Sequence, residues 1–142
     1  MKLKVFPFLI SMFFCLGLAA QEQELTPEQQ EKKIRETLDQ VVLKMEESLK
    51  LETWQTFYVD SILTYNYAKM QEEMMELSMN KVENPDLFVR VQDKWEEENY
   101  RAIGKVLDEE QWKKYLKQGA ARAKKARDKR EAKRNKQAQL TK

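Results

Sequence analysis

Beyond residue 20 this chain contains only two glycines, Gly104 and Gly119, and two prolines, Pro27 and Pro85. Glycine supplies the tight turns of sheet proteins and the loops that cradle phosphate, so neither architecture can be built here. A chain this poor in breakers forms helix. The same stretch has no cysteine, and the whole chain has no histidine. That excludes a disulfide, a cysteine–zinc site and a thiolate nucleophile. It also excludes a Ser-His-Asp or Cys-His triad and removes the side chain that titrates near neutral pH. The composition therefore points to a binding protein, not an enzyme, with no cofactor or metal expected.

The first 20 residues have a separate character. Lys2 and Lys4 precede an almost unbroken apolar run from Val5 to Leu18. Small residues Gly17, Ala19 and Ala20 follow, before charge begins at Glu22. This is the layout of a secretory signal peptide over residues 1–20, cleaved after Ala19 or Ala20. The run falls short of the ~20 residues of a membrane span. Cys15 follows Phe13 and Phe14 and lacks the small neighbours of a lipoprotein signal. The mature chain is expected in the periplasm, or secreted where there is no outer membrane, with no transmembrane span left after cleavage.

Charge is divided along the remainder. Residues 21–112 hold 22 acidic and 11 basic side chains, whereas 113–142 hold 2 acidic and 13 basic. Residues 21–118 are expected to form a helical domain, and 119–142 a basic Ala/Lys/Arg-rich tail. Alanine, lysine and arginine favour helix, but only Leu140 offers a bulky apolar contact. The tail is therefore expected to be partly helical and solvated. It suits contact with an anionic surface. With an export signal and no interleaved aromatic residues, nucleic acid is not the expected partner.

Helix starts punctuate the middle of the chain. Thr26 caps, Pro27 takes the first helical position, and apolar residues follow from Ile34 to Leu49 on one face. Helix 1 is thus expected over about Pro27 to Leu49. Helix 2 is expected near Thr53 to Lys81, apolar over so much of its circumference that it must be central in a bundle or shared with a partner. Asn84 and Pro85 open helix 3. Asp108 caps a fourth start, with Trp112, Tyr115 and Leu116 as the last bulky anchors.

Three of these starts share a leucine four residues before a glutamine: Leu25-Thr26-Pro27-Glu28-Gln29, Leu51-Glu52-Thr53-Trp54-Gln55 and Leu107-Asp108-Glu109-Glu110-Gln111. The leucine faces inward, the next residue caps, and the glutamine closes a capping box. With the export signal, length and charge, the chain resembles the Spy/CpxP-like family of periplasmic stress chaperones, which carry paired L-T-x-x-Q motifs at helix starts. Leu25, Thr26 and Gln29 match fully. Leu107 and Gln111 match with Asp108 as an acceptable cap. Leu51 and Gln55 match, but Glu52 stands where threonine belongs. The resemblance implies a bent antiparallel helical hairpin that often dimerises, with a concave face that holds unfolded clients without ATP.

Met70, Met74, Met75 and Met79 lie along helix 2. Such thioethers fill cores, adapt to varied partners, or bind soft cations such as Cu(I) or Ag(I). Core packing is the ordinary use. With Trp95, these methionines are the candidate client or partner surface. Trp54, Trp95 and Trp112 are expected as core anchors. The clusters Glu72-Glu73, Glu76 and Glu96-Glu97-Glu98 are expected to be solvated, because consecutive glutamates on a helix point in different directions.

The expected fold is all-α: an antiparallel four-helix bundle or bent helical hairpin, followed by the basic tail. The expected function is that of an exported, ATP-independent chaperone or envelope-stress binding protein. It would hold unfolded or envelope proteins on an apolar helical surface that also allows a homodimer. The alternative is a structural adaptor that binds one envelope partner while its tail touches an anionic surface.

Overall fold

The structure is a computed structural model and describes residues 26–140. The expected signal peptide and Leu25 lie outside the described residues. The fold is all-α. Among the described residues five helices follow in order: α1 (Pro27–Leu49), α2 (Thr53–Met79), α3 (Pro85–Val106), α4 (Glu109–Tyr115) and α5 (Ala121–Leu140). A wide π-type turn, Leu116–Ala120, joins the last two.

Local chemistry sets each boundary. The Gln29 amide donates to Thr26 Oγ1 at 3.3 Å, and the Thr26 amide donates to Gln29 Oε1 at 3.0 Å. The box at the head of α1 is therefore complete. Helix α1 ends at Lys50, which adopts the left-handed conformation (φ 56°) and donates its amide to Glu46 O. Helix α2 stops at Met79, short of the expected Lys81. Lys81 itself turns into left-handed space (φ 53°), which a continuing helix does not admit. Asn84 then accepts from the Asp86 amide to open α3.

Helices α1 and α2 run antiparallel, as do α2 and α3. Arg35 of α1 donates to Asp60 and Thr64 of α2, each at 3.0 Å. Asn66 of α2 donates to Asn99 of α3 at 2.8 Å. The core gathers near the α1–α2 turn, where Val42, Leu49, Leu51, Val59, Ile103 and Leu107 form one buried cluster. Leu49, Val59 and Ile103 are at most 1% exposed. Trp112 and Tyr115 pack against this cluster, and Trp112 stands edge-on to Tyr100 at 5.0 Å between ring centroids.

The basic segment departs from expectation. Instead of a partly helical, untethered tail, α5 is a continuous helix that lies antiparallel on α3, although most of its residues stay exposed as expected. Arg127 pairs with Glu96 and Glu97, Arg130 with Asp93, and Arg134 with Asp86 and Asp93. The attachment is made by charge, which a search for bulky apolar residues does not detect. Consequently Glu96 and Glu97 are not part of a solvated face. They sit partly buried against Arg127, whose side chain is only 7% exposed. The turn before α5 is made at Gly119 (φ 124°), a conformation that glycine adopts without strain.

Candidate functional site

The glutamine motif proves to be more than local capping. Gln55 opens α2 and Gln111 opens α4, and each accepts the amide of its own cap residue, Glu52 or Asp108, at 2.9 Å. Their side-chain amides also meet. Gln55 Nε2 donates to Gln111 Oε1 at 2.7 Å, and Gln111 Nε2 donates to Gln55 Oε1 at 2.9 Å. The remaining N–H capacity goes to Val106 O and Lys50 O. Both glutamines are buried, and Leu51 and Leu107 lie beneath them in the core. The second and third motif copies thus form a near-symmetric clasp that ties two distant turns together. The first copy takes no part, since Thr26 and Gln29 are exposed at the far end of α1.

The departure at Glu52 leaves the clasp intact. The glutamine carries the long-range contact, and the Glu52 carboxylate instead accepts from Trp54 Nε1 at 2.7 Å. Trp54 is accordingly not a core anchor. It is 51% exposed.

Away from the clasp, α1, α2, α3 and α5 leave a cleft of about 170 Å³, partly open to solvent. Leu38, Val41, Leu63, Met70, Trp95 and Ile103 give it apolar walls. Polar groups gather toward α5, where Arg127 of α5 and Glu96 of α3 line the cleft together. Burial pushes the Glu96 carboxyl above its ordinary range, partly opposed by the hydrogen bond from Gln92 and the charge of Arg127. Burial likewise pushes the Tyr115 phenol up to about 12. Trp95 Nε1 and Arg127 Nε are buried with no hydrogen-bond partner among the described residues. An engineered cavity of roughly 150 Å³ admits benzene. This cleft is therefore matched to one side chain, not to a longer segment.

The larger apolar surface lies on the outside of α2. Trp54, Phe57, Tyr58, Tyr65, Met75 and Met79 are all more than half exposed. At 3.6 residues per turn they fall within roughly 100° of arc along about 38 Å of helix, as a stripe whose aromatic part, Trp54 to Tyr65, is separated from Met75 and Met79 by Ala68 and Glu72. The four methionines do not share it. Met70 lines the cleft and Met74 is half-buried, whereas Met75 and Met79 belong to the outward stripe. Helical spacing separates the two pairs, because a step of five residues turns the helix about 140°. Trp95 stands in the cleft with Met70, away from the stripe.

Sequence reasoning missed the α5 contacts, the pairing of Gln55 with Gln111, and the aromatic share of the stripe. Periodicity within α2 alone contained the last signal. Among the described residues no three acidic side chains converge as a metal site requires, and no helix is long and apolar enough to cross a membrane. Comparison with family models found no match, and comparison with curated proteins and with solved structures found none either.

Proposed function

We propose that this protein is an exported, ATP-independent chaperone that holds unfolded clients on the outer face of α2. The observation that carries this reading is the exposed stripe from Trp54 to Met79, with six large apolar side chains on one side of one helix. Scattered surface apolar residues are ordinary, but four exposed aromatic rings grouped between Trp54 and Tyr65 mark a binding surface. Its composition suits clients of varied sequence. Flexible methionines adapt to differing shapes, and aromatic rings supply contact area at small entropic cost. The cleft opens on the opposite side of α2 and is separate from this surface, while the acidic helices add weak, fast capture of basic segments.

An aggregation assay with a chemically unfolded client tests the proposal. The chain lacking residues 1–20 keeps every described helix and should slow aggregation at stoichiometric amounts. The F57S/Y65S/M75S variant removes three side chains that are each more than 60% exposed, so its thermal midpoint should hold while its protective effect drops by at least half. No protection by the unaltered chain, or full protection by the triple variant, defeats the reading.

A further inference from the structure

Helix α5 sorts its basic residues by type and by side. Arg127, Arg130 and Arg134 face α3 and are consumed in pairs with Glu96, Glu97, Asp93 and Asp86. Lys124 is taken by Asp128 and Glu97. Arg122, Lys125, Lys129, Lys133 and Lys136 remain, and every one is exposed with no ion pair or hydrogen bond among the described residues. Their spacings of 3, 4, 4 and 3 place them within about 80° of arc, in a row about 21 Å long. Neither acidic residue of α5 interrupts the row. Asp128 faces Lys124, and Glu131 stands about half a turn from the row's centre.

We propose that this outer face of α5 docks on a bilayer surface of anionic phospholipid headgroups. The inference is independent of client holding, which uses α2. It gives the expected anionic contact of the basic segment a defined geometry. Three features favour a lipid surface. The first is rigidity: the arginine pairs fix α5 in place, so five charges are presented without the entropy of ordering a loose tail. The second is residue type. Four of the five are lysines, compact point charges that suit a diffuse array of headgroups, whereas the fork-shaped arginines are spent on carboxylates within the fold. The third is the absence of any aromatic residue in α5, which leaves nothing for nucleic-acid bases to stack on. Because the helix has no bulky apolar wedge except Leu140, which is 78% exposed, it adsorbs to headgroups and does not insert. The acidic excess of residues 21–112 then keeps α1–α3 turned away from the bilayer.

Co-sedimentation with vesicles tests this. Vesicles of phosphatidylcholine with about 30% phosphatidylglycerol are compared with phosphatidylcholine alone, using the chain lacking residues 1–20. Binding is expected only to the anionic vesicles, and it should vanish between about 0.05 and 0.5 M salt. The K125Q/K129Q/K133Q variant should bind about 100-fold more weakly, at about fivefold per lysine. The K32Q/K33Q/K44Q variant removes the same charge from α1 and should bind as the unaltered chain does. Equal binding to neutral vesicles, or equal loss from both triple variants, overturns the proposal. So does retention on an RNA homopolymer at a salt concentration that has already released the vesicles.

Discussion

Gln55 and Gln111 show how much one side-chain amide can bear. Each closes its own helix start, pairs with the other, and reaches a backbone carbonyl on a different turn. Truncating either leaves several buried polar groups without partners. Gln55→Ala is expected to cost about 2–3 kcal/mol in urea unfolding, whereas Gln29→Ala, which breaks only the exposed box, should cost under ~1 kcal/mol. Equal losses at the two positions would mean that the clasp adds nothing to capping. Tyr115 offers a second test at this scale. Burial raises its folded pKa to about 12 from the ordinary 10.0, so the neutral phenol is favoured in the folded state. The corresponding stability is complete below pH 10 and is lost as pH rises toward 12. Tyr115→Phe should flatten that alkaline decline relative to the unaltered chain, measured as urea midpoint against pH.

At the scale of elements, α5 is the helix whose position depends on charge. Burial alone would raise the Asp93 carboxyl, but hydrogen bonds from Arg130 and Arg134 outweigh it and hold the group below its ordinary range. A carboxylate depressed in this way stabilises the fold above its unfolded pKa of about 3.9. That contribution disappears as pH falls through the lower, folded value. Asp93→Asn, which keeps the shape but removes the charge, should therefore speed amide exchange along α5 by about tenfold or more at neutral pH while α1 and α2 exchange as before. Gly119→Ala addresses the same helix through its joint. Nothing stands within 4 Å of the added Cβ, so the penalty comes from the backbone alone, at φ 124°. A loss of about 1–3 kcal/mol, with faster exchange in α5, is expected. At Gly104 the reason differs, because a Cβ there would meet the Trp112 ring at 3.3 Å.

For the molecule as a whole, the starts of α1 to α4 and the end of α1 were legible in the sequence. Thr26, Asn84, Asp108 and the two prolines act on amides within a single turn. The placement of α5 was not legible, since an arginine in sequence does not reveal which of 22 upstream acids it will meet. Of the expected client surface, Met75 and Met79 lie on the open stripe, while Met70 and Trp95 line the cleft. The methionine pattern marked α2 as adaptable, but it could not say which side α1 and α3 would cover. The split has a measurable consequence. Oxidation by dilute peroxide should convert Met75 and Met79 several times faster than Met70, as read by mass spectrometry of peptides, because reagent access follows exposure.

Sequence alone determined that this chain is helical and where most of its helices begin, because capping and breaker chemistry are satisfied over three or four residues. Tertiary structure decided that Gln55 meets Gln111, that α5 lies along α3, and that one stripe of α2 stays uncovered. Those outcomes depend on contacts between residues tens of positions apart. Many pairings of like chemistry compete there, and only the packed arrangement of all the helices selects among them.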